Sequence, residues 1–156
     1  MHKILTVSAL LILTACARMP AYPQPGPGES AAIFEGTRKV SLYTVDDQQC
    51  VTGYAYAADK EIRLTPGKEV IVAYGEKIGS NHFCSIDMAF TPEKDERYTL
   101  RTALRMSEED KGRLLPNFNN ATCQAQLVRK TPDGTETPVA IRQIPPGMFS
   151  ATCIHK

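Results

Sequence analysis

The sequence predicts an all-β fold, a disulfide-stabilised antiparallel β-sandwich, and three observations predict it. From Ile33 onward, apolar and polar residues alternate with the period of two that marks half-buried strands. Turn formers interrupt the alternation at near-regular spacing, with 10 Gly and 11 Pro in 156 residues. Four widely spaced cysteines, Cys50, Cys84, Cys123 and Cys153, follow the N-terminal segment and suit bridges across a small core. The length fits one domain with a tail. Trp is absent and aromatics make up only 7%, a turn-rich composition that excludes a long coiled coil. Lys and Arg total 18 against 17 Asp and Glu, so the basic excess of a nucleic-acid-binding surface is missing.

The strands follow in order. Residues 38–45 form the first and 49–56 a weaker second. Residues 61–64 lead through Thr65-Pro66-Gly67-Lys68, with Pro at the second and Gly at the third place of a type II turn, into 69–74. That last segment is apolar on both faces and reads as a central strand. In 84–90, Cys84, Ile86, Met88 and Phe90 share a face, while Ser85 and Asp87 take the other. Across residues 92–96, Tyr98, Leu100, Thr102 and Leu104 repeat the pattern, and the two segments read as a hairpin. Ser107 with Asp110 three places on can cap a helix of at most two turns before Gly112 and Pro116. Strands at 123–127, 138–144 and 149–154 complete the domain, eight or nine in all.

The N-terminus carries a different signal. Lys3 precedes a mainly apolar run of ten residues, 4–13, about half of the roughly 20 needed to span a membrane. Leu13-Thr14-Ala15-Cys16 follows at once and resembles the lipobox of bacterial lipoproteins. The resemblance implies that residues 1–15 are a signal peptide, that the Cys16 thiol takes a thioether-linked diacylglycerol, and that its freed amine is acylated. Two or more chains anchor stably. Cleavage removes Lys3 and leaves the charges balanced, so lipid rather than charge holds the protein. In that family an Asp after the modified Cys retains the protein at the inner membrane. Position 17 is Ala, which implies the outer membrane, facing the periplasm.

Residues 16–32 read as the lipidated Cys and a Pro/Gly-rich tether, with residues 33–156 as the domain. Proline blocks helix and ladder hydrogen bonding. Extended at about 3.1 Å per residue, residues 17–30 reach up to roughly 40 Å.

Four cysteines in an exported domain imply two disulfides, with three pairings open. Cys84 and Cys123 each lie on the apolar face of their strand, beside Ile86 and Ala125, which favours bridging them within the core and leaves Cys50 to Cys153. A zinc site is disfavoured, because metal-binding thiols usually come in close pairs. No metal and no cofactor are expected.

The stretch Cys84…Phe90-Thr91-Pro92…Tyr98…Cys123, with Leu64-Thr65-Pro66-Gly67-Lys68, resembles small envelope lipoproteins with a transthyretin- or immunoglobulin-like sandwich. The likeness covers about residues 38–130 and implies fold and compartment more than activity.

Catalytic constellations are wanting. Ser80 and His82 are neighbours in a polar turn, whereas a nucleophile and its base normally meet from distant segments. His155 lies in the tail. Asp46-Asp47, Glu93/Asp95/Glu96 and Glu108-Glu109-Asp110 read as solvated turns, and Asn120-Ala121-Thr122 as an accidental glycosylation sequon. The expectation is a membrane-anchored, non-enzymatic binding or scaffold module of the cell envelope with a protein partner and no nucleic acid. The alternatives are an inhibitor of lysozyme-like enzymes or a hydrolase with an unrecognised site.

Overall fold

The structure is a computed structural model that describes residues 19–78, 82–105 and 122–145, with His82 through its backbone. The signal segment, Cys16, the helix expected at 107–110, the strand at 149–154 and Cys153 lie outside the described residues. Within them the fold is a β-sandwich of ten strands in two five-stranded sheets. In chain order these are β1 (Ala32–Glu35), β2 (Val40–Val45), β3 (Val51–Tyr56), β4 (Glu61–Leu64), β5 (Val70–Ile78), β6 (His82–Phe90), β7 (Arg97–Arg105), β8 (Thr122–Lys130), β9 (Glu136–Pro138) and β10 (Arg142–Ile144). One sheet, here the front sheet, runs β10-β6-β5-β2-β3; the back sheet runs β4-β1-β7-β8-β9.

The alternation read from the sequence decides which side chains face inward. Phe34, Val40, Leu42, Leu64, Val72, Met88, Tyr98 and Leu127 are buried between the sheets, each worth about 1.5–3 kcal/mol for its large apolar side chain. The rings of Phe90 and Tyr98 meet across the interface, their centroids 4.9 Å apart. Strand β5 occupies the middle of the front sheet, as its two apolar faces predict. Gly67 adopts φ 76°, the value its turn demands.

Three readings are corrected. The segments at 84–90 and 98–104 are no hairpin: β6 lies in the front sheet and β7 in the back one, so residues 91–96 cross between sheets. Alternation identifies a strand and its inner face but not its neighbour. The strand expected at 138–144 is two, β9 in the back sheet and β10 in the front, with the chain crossing over at Val139–Ala140. The sandwich is antiparallel-rich, as the alternation predicts, and β1, too short to read as a strand, adds a parallel pairing with β7.

The third concerns the tether. Residues 20–30 lie against the sandwich as a strap rather than standing off as a spacer. Tyr54 N–H donates to the Pro20 carbonyl at 2.9 Å, and Tyr22 N–H donates to the Tyr54 carbonyl at 2.8 Å, a parallel bridge along the free edge of β3. Tyr22 is 6% exposed and belongs to the core. Burial there pushes its phenol pKa up to about 12. Gly53 is required beneath it, because a Cβ would stand 2.6 Å from the Pro23 ring. On the facing edge, Arg63 of β4 donates to the carbonyls of Pro25, Gly26 and Glu29, at 3.1, 3.2 and 2.8 Å. Proline lacks the N–H that a ladder needs, but its carbonyl still accepts.

The Cys84–Cys123 disulfide joins β6 to β8, one sheet to the other, with Cα atoms 6.1 Å apart. Cys50 is also disulfide-bonded.

Candidate functional site

The outer faces of the two sheets differ in kind. On the back face the outward positions carry ion pairs. Arg97 bonds Glu35 at 3.0 Å and also Glu61, Lys130 reaches the other oxygen of Glu35 at 3.3 Å, and Arg101 holds Glu136. Burial pushes the Glu35 carboxyl up, but hydrogen bonds from Arg97 and Lys130 outweigh it and hold the group below the usual carboxylate range. Arg101 likewise holds Glu136 low. Charges so satisfied make a solvated surface.

The front face is built from small residues between aromatic ones. Three registers place Asp87 (β6), Ala73 (β5), Ser41 (β2) and Tyr56 (β3) in one row across four strands. In the next row Ser85 lies opposite Gly75, and on the other side Tyr43 faces Tyr54 with ring centroids 5.2 Å apart. Small side chains in the middle and large ones around them leave a shallow trough of about 370 Å³. Phe83 lies over Gly75: a Cβ there would come within 2.8 Å of its ring, so one ring face rests on backbone. Phe83 is nevertheless 66% exposed and Tyr56 50%. Lys39 lines one rim and pairs with Glu76, to which Tyr74 donates its hydroxyl. Hydrogen bonds from Lys39 and Tyr74 hold Glu76 low.

Asp87 is the unusual group of the trough. It is half-buried, and among the described residues it has neither a hydrogen bond nor an ion pair. Burial alone pushes its pKa above the ordinary aspartate value. Such a carboxyl is uncompensated, and a bound donor or cation would relieve it.

At the other end of the same face, Ile71, Ala89 and Ile144 form a small buried cluster flanked by Tyr43 and Val45. A larger cleft of about 570 Å³ lies by the disulfide, among Met88, Ala125 and Gln143. Its one titratable side chain among the described residues, Arg101, already pairs with Glu136.

The acidic turns named from sequence are engaged locally. Asp46 accepts the backbone N–H groups of Gln48 and Cys50 at 2.9 and 2.8 Å, capping its own turn. Glu93 and Glu96 face Arg129 at 3.3 and 3.6 Å, and Asp95 lies 3.8 Å from Lys94. Ser80, Glu108, Glu109, Asp110, Asn120 and His155 lie outside the described residues, and His82 opens β6 opposite Ile78. Among the described residues no group of three or more His, Cys, Asp or Glu could hold a metal ion, and no helix is long and apolar enough to cross a membrane. The trough is not legible in the sequence, although Ser85 and Asp87 read as outward residues of β6. The available signal is the group of small residues Ser41, Ala73 and Gly75, which period-two alternation marks merely as non-core.

Comparison with protein-family models, with curated proteins and with solved structures finds no match to this chain.

Proposed function

We propose that the protein is a lipid-anchored, non-enzymatic binding module of the bacterial cell envelope. Cys16 carries the lipid, the outer membrane holds it on the periplasmic side, and the front face engages an envelope protein. One observation carries the reading: solvent-exposed aromatic rings and a carboxyl without a partner among the described residues border a trough on one face, while a chain of ion pairs crosses the other. Exposed Tyr and Phe side chains are enriched where proteins bind one another.

The test places a photo-crosslinking residue at Tyr56 or at Gln126, on opposite faces, in the full chain expressed in intact cells. The expected result is a discrete protein adduct from position 56 that Phe83→Glu abolishes, with none from position 126. Adducts from 126 alone, or from neither position, would discard the front face as the binding surface. Lipidation is tested separately with a fatty-acid analogue. Label should enter the wild type and not Cys16→Ser, and equal label in both would sink the anchor.

A further inference from the structure

The docked strap changes what an anchor at Cys16 does. A free tether through residue 30 lets the domain wander up to roughly 40 Å from the bilayer. With Pro20 bonded to Tyr54, four residue steps separate the anchor from the folded surface, at most about 14 Å of chain. The strap is also directional. Its bridge to β3 is parallel, so the strap, like β3, runs away from the turn at residues 46–50, and the chain enters the domain from that turn's side. The opposite end carries the Cys84–Cys123 bridge and Phe83, because Val70 pairs with Phe90 at the near end of β5 while Lys77 pairs with Phe83 at the far end. Nine residues of β5 separate these ends by about 27 Å.

We infer that residues 20–30 form a clamp that holds the sandwich flush against the lipid headgroups with the turn at 46–50 facing the bilayer and the disulfide end facing away. This rests on the proposed lipidation of Cys16. Three features make the clamp rigid: Tyr22 seated in the core, Pro23 packed on Gly53, and the Arg63 guanidinium spanning three strap carbonyls. Length does the work here, since the near end mixes Asp46 and Asp47 with Lys68 and shows no single sign of charge. A domain clamped this way presents the Phe83 end of the trough outward.

The experiment uses the lipoprotein purified from membranes and incorporated into phosphatidylethanolamine/phosphatidylglycerol vesicles carrying a headgroup quencher. A fluorophore is introduced as a noncanonical residue at position 47 or 83. Quenching at 47 should exceed that at 83 several-fold. Inserting twelve Gly/Ser residues between Ala17 and Arg18 leaves the docked segment untouched and should bring the two positions to similar, weak quenching with membrane binding retained. Amide exchange of the full chain should show Tyr22 and Tyr54 protected. Fatty-acid label on the protein with equal quenching at both positions, or rapid exchange of Tyr22 and Tyr54, overturns the clamp and leaves the anchor standing. Absence of label overturns the anchor and the clamp together.

Discussion

The two outer faces are made by sheets of the same size and the same alternation, yet they resolve the cost of facing water in opposite ways. The back face spends its outward positions on Arg, Lys and Glu that satisfy one another: Glu61, Arg97, Glu35 and Lys130 form a chain across it. Among the described residues, the front face places its charge pairs at the periphery, through Lys39 to Glu76 and Arg142 to Glu69, and fills its middle with Ala, Gly, Ser and aromatic rings. A protein surface with nothing to bind tends toward the first solution. Exposed rings around a carboxyl without a partner among the described residues are the second, and the proposed binding reading rests on them.

The largest expected effect would weaken both faces together. Cys84→Ala with Cys123→Ala opens a loop of 39 residues, worth roughly 3 to 4 kcal/mol in the chain-entropy model. Denaturant unfolding should show that loss, and thiol counting on the unreduced wild type should find neither cysteine free. A chain unchanged in midpoint would mean that packing alone holds the sheets in register.

Next comes a pair that separates the faces. Ile71 is fully buried although it points outward from the front sheet, so Ile71→Ala should cost about 2–4 kcal/mol. Thr99, a buried outward residue of the back sheet, gives up only a 3.4 Å hydrogen bond to the Glu35 carbonyl, and Thr99→Val should cost about 1 kcal/mol or less. Equal losses would make the faces equivalent.

The smallest effect is the sharpest, because its sign reverses between faces. Glu35 is held below its ordinary pKa. Its stabilisation is therefore full above the unfolded carboxylate pKa and is lost as pH falls through the lower folded value. Asp87 is raised, so its ionisation penalises the fold fully above its folded pKa, and the penalty shrinks as pH falls from that value and is gone below the unfolded one. Asp87→Asn should accordingly stabilise slightly at pH 7 and lose that advantage near pH 3. Glu35→Gln should destabilise at pH 7 and converge on the wild type in acid. Parallel pH profiles for the two variants would contradict the assignment.

Much of the sandwich is legible in the sequence because period-two alternation and burial are one physical fact. Met88 and Phe90 read as inward residues and are buried; Cys84 and Cys123 read as facing each other and are bonded. Pairing is harder, since β6 and β7 alternate as cleanly as any hairpin and yet belong to different sheets. The strap was hidden by its prolines, which announce a linker, while the decisive residue is a single Tyr22 with a place in the core. The trough was hidden for a related reason: Ala73, Gly75 and Ser41 matter for the volume they leave empty, and no composition pattern records an absence.

One feature of the back sheet bears on how the chain reaches this structure. Strand β1 lies between β4 and β7, and Glu35 meets Arg97 across 62 positions of sequence. A parallel pair cannot be closed by a tight turn, and domains dominated by such distant pairings fold in milliseconds to seconds. Stopped-flow refolding in the microsecond range would contradict this. Until residues 97–105 arrive, β1 has β4 as its only ladder partner, and a two-stranded ribbon is marginal by itself. Its open edge is meanwhile a template for any other extended chain. The vulnerable interval for this protein is thus a matter of timing: it lasts from the appearance of β4 to the docking of β7, whatever the final stability of the sandwich.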